Sequence, residues 1–527
     1  MGDYLAAHAA AVPDKVAVVD DRPGCQPVIW TFAELNRRAN QLAALVGDLV
    51  GGPPPAEVDG GPPKVVWCGQ NSATLLAVAH ALRKAGCTGV PLNYRLSVDE
   101  AAYVIDNSDA AVAFVDAAYL PLIDAVRPRA PRLAHVVGFG GGPGSGCDLD
   151  ARLAPYPGEE PPAGAPGATM IYTSGTTGRP KGALRRSSNL TQAVGLIGLI
   201  GYQADDVYLT TGPLYHSGPG GFAMVAHALS NTIVVQHRFD PEDWLRLVDT
   251  YRVSTTFTAP TPIRMVCALA ADVKARYDRT SMRRCVANAA PWTLALKKLY
   301  MADFPPDSLW EVYGSTELGV DTVLPPGDHL RKPGSCGLPA PGVEIKLFDA
   351  SGREVTEPLA PGELYVRAAG MFDAYYKDAD KYDAERRGDF HTVGDIAYRD
   401  EEGYLYIADR KSDMVITGGM NVYPAEVEAV LDECPAVFEA AVFGVADEQW
   451  GEAVVAAVVP ARPGVTEAEV VEFARRHLAG YKVPRQVRLV PELPKTGSGK
   501  VLRRQLRDEH LAAPVGAGRE AGTPPIG

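Results

Sequence analysis

A run of small hydroxyl residues and glycines, with one lysine near its end, occupies residues 173–182 and reads TSGTTGRPKG. It directly follows the apolar run 168–172, so we expect a strand that leads into a loop. Glycines let backbone N–H groups converge on an anion, hydroxyls add short donors, and Lys181 adds a positive charge. Gly182 follows the lysine where a Walker A loop has Ser or Thr. A few such residues would indicate an ordinary turn, but this longer run predicts a phosphate-binding loop of another kind.

Four further segments combine glycine with charged or hydroxyl side chains. They are residues 313–317 (YGSTE), 393–395 (VGD), 409–410 (DR) with 418–424 (GGMNVYP), and 494–500 (PKTGSGK). With the phosphate loop, they stand in the order found in the adenylate-forming (ANL) superfamily of acyl-CoA synthetases, peptide synthetase adenylation domains and firefly luciferase. The chain resembles its acyl-CoA synthetase and fatty-acid–CoA ligase family from about residue 10 to residue 508.

The resemblance implies an ATP-dependent acyl-CoA ligase, an acid–thiol ligase that forms AMP. A carboxylate is a poor electrophile, so its oxygen must first become part of a good leaving group, which AMP provides. The carboxylate attacks the α-phosphate of ATP, pyrophosphate leaves, and the acyl group of the acyl-AMP passes to coenzyme A. Charge that builds on the phosphates must be met by Mg²⁺ and fixed donors. Three alternatives stay open: an acyl-AMP ligase that loads a carrier-protein phosphopantetheine, a luciferase-like oxygenase, and a catalytically silent nucleotide-binding protein.

The resemblance also implies roles for single residues in adenylation. Lys500 bridges the substrate carboxylate and the nucleotide, Glu317 and Thr177 bind Mg²⁺, and Thr316 lies near the phosphate. Asp395 suits the ribose hydroxyls, because an ionised carboxylate only accepts hydrogen bonds. The full set expected to bind ATP or AMP is Thr173, Ser174, Gly175, Thr176, Thr177, Gly178, Lys181, Ala289, Ala290, Pro291, Tyr313, Gly314, Ser315, Asp395 and Arg410.

A second set of residues is expected to contact the acid and CoA. His216 matches a family position that lines and gates the acyl pocket, whereas a lone His beside apolar residues is otherwise more often structural. The expected acyl pocket comprises His216, Gly218, Gly221, Phe222, Gly319 and Val320. The expected CoA site comprises Gly418, Gly419, Trp450, Tyr481 and Arg485, with the two glycines leaving room for the pantetheine arm. The hinge of the domain rotation in this family falls at Ser412, where the family usually has Asp or Lys.

Small residues around His216 suggest a roomy pocket. No Lys or Asp is recognisably placed to pair with a substrate amine or a second acid group. We therefore expect a hydrophobic monocarboxylic acid: a medium or long fatty acid, an aryl acid or a steroid side chain. The sequence does not distinguish among them.

The elements that must position these residues follow a βαβ rhythm in the first third of the chain. Capping boxes at 31–34 (TFAE) and 97–100 (SVDE) predict helix starts, and apolar runs at 65–68 and 111–115 predict strands of a largely parallel sheet. Gly- and Pro-rich stretches at 51–63 and 138–167 indicate surface loops. The predicted fold is α/β, a large multi-sheet N-terminal domain (1–411) with a smaller, mobile α+β lid domain (412–511). Residues 512–527 have too little apolar content to fold.

Composition narrows the classes of partner. The chain has 527 residues, enough for at least two domains, and a net charge of −13, which argues against nucleic acid or an anionic membrane as its main partner. The eight cysteines form no CxxC pair, and no apolar run is long enough to span a membrane. We expect a cytoplasmic enzyme whose partners are a carboxylic acid, ATP and CoA, with a homodimer as one possible assembly.

Overall fold

The computed structural model describes residues 3–51, 61–142, 144–162, 164, 167–173, 179–186, 190–290, 292–411, 413–447, 449–496 and 500–512. They form two compact units, a large one that runs to Ala408 and a small one that begins at Asp409. This division supports the expected large N-terminal and separate C-terminal domains. The finer boundary after residue 411 and the mobility of the small domain stay predictions.

The strands and helices are bounded as follows. The strands are β1 Val16–Asp20, β2 Val28–Thr31, β3 Lys64–Cys68, β4 Thr88–Leu92, β5 Val112–Asp116, β6 His135–Phe139, β7 Thr169–Thr173, β8 Lys181–Arg185, β9 Val207–Thr210, β10 Thr232–Val235, β11 Thr255–Thr258, β12 Arg284–Ala287, β13 Leu309–Ser315, β14 Gly319–Leu324, β15 Leu338–Pro339, β16 Val343–Phe348, β17 Gly362–Ala368, β18 Ala374–Tyr375, β19 Arg386–Arg387, β20 Phe390–His391, β21 Asp395–Arg399, β22 Leu405–Arg410, β23 Val415–Thr417, β24 Met420–Val422, β25 Val437–Asp447, β26 Gly451–Pro460 and β27 Gln486–Leu489. The helices are α1 Tyr4–Ala11, α2 Phe32–Leu49, α3 Ala73–Lys84, α4 Val98–Asn107, α5 Leu120–Val126, α6 Leu149–Leu153, α7 Leu190–Ile200, α8 Ser217–Ala228, α9 Pro241–Thr250, α10 Pro260–Cys267, α11 Ala271–Lys274, α12 Leu294–Asp303, α13 Ala379–Ala384, α14 Pro424–Asp432, α15 Glu467–His477 and α16 Arg503–Ala512.

Helices α2 and α4 begin where the capping boxes predict. The Thr31 hydroxyl accepts the Glu34 backbone N–H, and at α4 Ser97 and Glu100 cap each other reciprocally. The predicted loop at 138–167 is wrong in part, because it contains the end of β6 and the short helix α6, whose N-cap is Asp148. That helix carries one buried leucine, too few apolar positions to show a helical period.

Two large sheets form the core of the large unit. One has the order β18-β8-β7-β4-β3-β5-β6, and its strands β3 to β6 pair in parallel, which confirms the βαβ reading. Alternate residues of β3 and β5 face opposite ways: Val65 and Phe114 pack with α2 and α3, and Val66 and Val115 pack with α4 and α5. The other sheet has nine strands in the order β15-β14-β13-β12-β11-β9-β10-β1-β2. Helices therefore cover both faces of the first sheet.

A six-stranded sheet of β16, β17 and β19–β22 completes the chain before the small unit. The small unit is built on β23 to β27, with the long hairpin β25–β26 at its centre and α14 and α15 packed on it. This is the expected α+β arrangement. Among the described residues, no helix combines the length and apolar character needed to cross a membrane.

Candidate active site

The strands on either side of the phosphate loop fix its two ends. Strands β7 and β8 pair antiparallel with Thr173 opposite Lys181. The Lys181 ammonium forms an ion pair with Asp378 and lies 5.9 Å from the centre of the Tyr375 ring. The predicted loop residues Ser174, Gly175, Thr176, Thr177 and Gly178 lie outside the described residues. The two strand ends at the base of the loop therefore carry the Thr173 hydroxyl and the Lys181 ammonium, which is paired with Asp378.

The turn between β13 and β14 places Thr316 and Glu317 beside that base. Glu317 is buried, and its Oε1 accepts hydrogen bonds from the Thr173 hydroxyl at 2.9 Å and the Tyr375 hydroxyl at 3.2 Å. The Thr316 and Ser217 hydroxyl oxygens lie 2.8 Å apart. We call Thr173, Ser217, Thr316, Glu317 and Tyr375 the hydroxyl–carboxylate cluster. It joins four segments that are distant in sequence.

This cluster fits a magnesium ion. Both hydroxyls donate to Oε1 of Glu317, and among the described residues none donates to Oε2. Mg²⁺ is commonly held by one or two carboxylates together with substrate phosphates. A buried carboxylate with one oxygen available beside a phosphate loop therefore has the right donor chemistry.

Glycine is required where β13 meets β14. A Cβ on Gly314 would lie 1.9 Å from the Gly319 carbonyl oxygen, so the two strands approach too closely for any side chain. Gly319 has φ of +93°, a backbone region that L side chains rarely adopt. The Ser315 hydroxyl accepts the Leu318 backbone N–H at 3.0 Å and closes the turn. The sequence around Glu317 thus fixes the turn that presents it.

The expected ribose carboxylate has a fixed partner. Asp395 begins β21, is only 6% exposed, and accepts a hydrogen bond from the Tyr313 hydroxyl. Burial and the charge of Asp395 raise the pKa of Tyr313 well above its usual value, so the phenol keeps its proton and donates. Gly394 precedes Asp395 with φ of +81°, and its N–H donates to the Thr392 hydroxyl at 3.0 Å. The Tyr313 hydroxyl and the Gly394 turn therefore fix the position of the Asp395 carboxylate.

The expected adenine segment follows β12, which lies between β11 and β13. The Asn288 side chain donates to the Val312 carbonyl at 2.5 Å, and its backbone N–H donates to the Thr258 carbonyl at 3.1 Å. Ala289 has φ of +72°, a left-handed conformation that costs a non-glycine residue about 1–2 kcal/mol. Strain of this kind concentrates at functional sites. Ala290 follows it, and Pro291 lies outside the described residues.

The expected acyl pocket surrounds the start of α8. His216 is the N-cap residue, with its ring 4.6 Å from that of Tyr215. A Cβ on Gly218 would approach Phe257 to 2.5 Å, whereas a Cβ on Gly221 would meet no atom within 4 Å. Phe222 is buried and stacks on Phe257. Val320 is half-buried against the same apolar core, as are the partly buried residues Leu196, Ile197, Met224 and Trp310.

The residues expected to bind CoA lie in the small unit, and three of them are in contact. Gly418 donates its N–H to the Trp450 carbonyl at 2.8 Å, and a Cβ on it would lie 2.9 Å from the Trp450 ring. The Arg485 guanidinium lies 4.5 Å from the centre of that ring. Gly419 follows in the β23–β24 turn with φ of +78°, and Tyr481 is exposed. Trp450 and Tyr481 are 37% and 38% exposed.

The expected catalytic lysine is exposed. Lys500 is joined by backbone to the start of its own loop: its N–H donates to the Thr496 hydroxyl at 3.1 Å, and its carbonyl accepts the Thr496 N–H at 2.7 Å. The following helix α16 is anchored by Arg503, which donates twice to Glu428 at 2.8 Å. Arg410 lies at the end of β22, and Ser412 lies outside the described residues.

Residues 5–376 match the family described as AMP-binding enzyme, and residues 426–500 match its AMP-binding enzyme C-terminal domain. The chain belongs to the AMP-binding enzyme family. The predicted superfamily is thereby confirmed, and the protein is an adenylate-forming enzyme of the acid–thiol ligase class.

Relatives span nearly the whole chain. An indoleacetate–CoA ligase of Aromatoleum aromaticum is 33% identical over 96% of this chain and 97% of its own length. A feruloyl-CoA synthase of Amycolatopsis sp is 34% identical over 90% of this chain and 93% of its own length. The crystal structure of the anthranilate CoA ligase AuaEII with anthranoyl-AMP matches with a TM-score of 0.84 at 25% identity, covering 96% of each chain. ATP-dependent formation of an acyl-CoA fits this family member.

Several contacts of the candidate site were not predicted from the sequence. Tyr375, Ser217 and Asp378 contact the predicted residues Glu317, Thr316 and Lys181. Tyr375 and Asp378 stand in no glycine-rich motif, and Tyr375 is 58 residues from Glu317. Only the fold brings them together. Ser217 directly follows His216, so its place next to a family motif was the one available signal.

Proposed function

We propose that this AMP-binding enzyme activates a hydrophobic monocarboxylic acid as an acyl-AMP with ATP and Mg²⁺ and then transfers the acyl group to CoA. One observation carries the proposal: the hydroxyl–carboxylate cluster holds a buried Glu317 against Thr173, at the end of the strand that enters the phosphate loop. This joins the metal-binding carboxylate and the phosphate loop of an adenylating enzyme in one site.

In this proposal, each part of the ATP and the acid is bound by a different residue during adenylation. Mg²⁺, held by Glu317, would neutralise charge on the phosphates of ATP. Asp395, kept in place by the Tyr313 hydroxyl, accepts the ribose hydroxyls, and Lys500 bridges the acid carboxylate and the α-phosphate. A lysine acts as a point charge, so it can follow the transferred oxygen without bidentate geometry. Thr316 donates its hydroxyl toward the phosphates.

An aryl acid is the substrate class that we propose first. The relatives named above act, by their names, on indoleacetate, on a feruloyl acid and on anthranilate. Val320 and Trp310 pack against the same apolar core as the buried Phe222, and the aromatic side chains suit a ring-bearing acid. A fatty acid or steroid side chain is the alternative within the same reaction.

CoA is the proposed acceptor, for which the small unit provides a ligand surface. Arg485 stacked on Trp450 presents a cation and an aromatic face together, which suits a phosphate-bearing adenine nucleotide. Gly418 and Gly419 leave the backbone uncovered nearby for a thin pantetheine arm. A carrier-protein phosphopantetheine would need the arm but not the nucleotide contacts.

The test is CoA-dependent formation of AMP from ATP and Mg²⁺ across aryl, fatty and steroid acids. We expect AMP and a thioester in equal amounts with an aryl acid, and a much lower rate for Lys500→Ala. Pyrophosphate release without consumption of CoA would favour loading of a carrier protein. A complete lack of turnover with every class of acid would contradict the proposal.

Compartment and assembly are also proposals. We propose a cytoplasmic enzyme, supported by eight free cysteines, six of them buried, since disulfides are rare in reducing compartments. Light scattering during size-exclusion chromatography would decide between a monomer and a homodimer.

A further inference from the structure

Arg185 is a charged residue at the heart of the large unit that no sequence motif singled out. It is the last residue of β8, the strand that leaves the phosphate loop. Its Nη2 donates to the Thr316 carbonyl at 2.9 Å and its Nη1 donates to the Gly370 carbonyl at 2.5 Å. Strand β8, the β13–β14 turn and the segment that links β17 to β18 are three separate segments of the chain. One side chain therefore joins all three.

Its surroundings make it costly to bury. Burial lowers the pKa of the Arg185 guanidinium, and the carboxylates of Asp373, Glu317 and Asp321 oppose that shift. An arginine stays charged in proteins, so the cost must be offset by its hydrogen bonds and by these acids. A Cβ on Gly319 would lie 3.9 Å from Nη1, so the cation also approaches the start of β14. A charge held in this way suggests a positioning role.

The hydrogen bond from Arg185 to the Thr316 carbonyl has no substitute among the neighbouring contacts that the structure describes. Among the described residues, Arg185 is the one donor to the Thr316 carbonyl, while Ser217 contacts its hydroxyl. The neighbouring Glu317 carbonyl is held separately by the Phe372 N–H at 2.8 Å. Loss of Arg185 would thus free the Thr316 peptide while leaving the contacts of the Glu317 carboxylate with Thr173 and Tyr375 in place.

We propose that Arg185 is a positioning residue for adenylation, which fixes the Thr316–Glu317 turn against the strand that leaves the phosphate loop. The inference rests on the metal and phosphate roles proposed above for Glu317 and Thr316. Because the second half-reaction starts from a finished acyl-AMP, with pyrophosphate already lost, this turn matters far less for thioester formation. Substitution of Arg185 should therefore slow adenylation much more than thioester formation.

The experiment measures the half-reactions separately in the full chain. Adenylation is followed as pyrophosphate release from ATP and acid, and thioester formation starts from supplied acyl-AMP and CoA. Arg185→Met keeps the length of the side chain but removes every donor, and Arg185→Lys keeps the charge but cannot reach two carbonyls with a fixed fork. Arg186→Met is the matched control, since Arg186 is the next residue and is exposed.

We expect Arg185→Met to slow adenylation about 100-fold, the typical cost of a misplacement near 1 Å, and to change thioester formation by less than about threefold. Arg185→Lys should fall between Arg185→Met and the parent, and Arg186→Met should match the parent. Equal losses in both half-reactions, or no loss in adenylation, would overturn the proposal. If Arg185→Met does not fold, as judged by circular dichroism, Arg185→Lys and Arg185→Gln decide by the same ratio.

Glu317→Gln keeps this test distinct from the proposed function. If Glu317→Gln adenylates at the parent rate, the metal role proposed for Glu317 fails, whatever Arg185 does. If Glu317→Gln is inactive in adenylation while Arg185→Met is unaffected, the proposed function stands and the inference about Arg185 fails.

Discussion

The hydroxyl–carboxylate cluster of the large unit and the loop of Lys500 in the small unit differ in how their side chains are held. Glu317 is 8% exposed and has two hydroxyl partners, whereas Lys500 is exposed and its loop is closed by backbone contacts to Thr496. A buried site whose donors already point at the ligand costs little reorganisation when substrate binds. An exposed lysine, by contrast, must be ordered when the substrate binds. The large unit thus holds a buried, hydrogen-bonded carboxylate, whereas the expected catalytic lysine of the small unit is exposed.

Of the substitutions that test this contrast, replacing Lys500 should have the largest effect on the rate of adenylation. We expect Lys500→Ala to slow adenylation by about 10²–10³-fold, the usual cost of removing one donor to a developing charge. Thioester formation from supplied acyl-AMP should be nearly unchanged, and so should the thermal stability, because the side chain is exposed. Stopped-flow pyrophosphate release and differential scanning calorimetry measure the two quantities.

Lys298→Ala is the matched control, since Lys298 is an exposed lysine in α12 of the large unit. Equal slowing of both half-reactions in Lys500→Ala would mean that the lysine has no special role in adenylation. The division of labour between the two units would then be wrong.

Acid should weaken the large unit through a buried histidine pair. His80 Nε2 lies 2.8 Å from His227 Nδ1, and His227 Nε2 lies 3.2 Å from the Ala17 carbonyl, which can only accept. When both rings are neutral, His227 donates from Nε2 to this carbonyl and its Nδ1 accepts the N–H of His80 Nε2. Burial lowers the pKa of His227 to about 4 and that of His80 well below its usual value.

His227 takes up its proton near pH 6.5 in the unfolded chain but only near pH 4 in the folded chain. The free energy of unfolding should therefore fall as the pH drops from 6.5 to 4, by about 3 kcal/mol for His227 alone. Asp409 of the small unit should have the opposite effect on stability as the pH falls. Burial raises its pKa to about 6, so its proton stabilises the fold as the pH falls from 6 toward 4.

Hydrogen exchange resolved by peptide across pH 4–7.5 would separate the two units. We expect acid to reduce protection around α3 and α8 first, and the pH dependence there to become shallower in His227→Gln, which keeps a donor for the Ala17 carbonyl. An unchanged slope in His227→Gln would show that the pair does not govern acid stability.

A substitution in the expected CoA site should have a smaller effect and should leave the hydroxyl–carboxylate cluster unchanged. Trp450→Ala removes the face on which Arg485 lies, and loss of one aromatic–base stack costs about 1–3 kcal/mol. We expect the KM for CoA to rise roughly 5- to 100-fold, with the rate of pyrophosphate release unchanged. Trp450→Phe should recover most of the affinity. A rise in the KM for ATP instead would place Trp450 in nucleotide activation.

The site residues predicted from the sequence lie in or beside their own motifs, but their distant partners were not predicted. Thr316, Glu317 and Asp395 stand in glycine-rich segments whose turns only glycine permits, as at Gly314. The capped helices and buried parallel strands were equally readable, because caps and apolar runs are local signals. Arg185 and Tyr375 could not be found, since their partners are 131 and 58 residues away and join different sheets. Long-range pairing of this kind follows from topology alone.

The smallest effect tests how far preorganisation extends to the nucleotide. Tyr313→Phe removes the hydroxyl that donates to Asp395 and leaves the ring in its buried place. A hydrogen bond to a charged group contributes about 1.5–3 kcal/mol, but ribose hydroxyls or water can replace part of it, so we expect the KM for ATP to rise about 3- to 10-fold. The rate at saturating ATP should change less than twofold, because the hydroxyl positions a binding group and does not touch the reacting atoms. Tyr398→Phe, a stacked tyrosine at the far end of the same strand β21, is the control. If the saturating rate fell while the KM for ATP stayed constant, Asp395 would act on the chemical step, and the binding role proposed for it would be wrong.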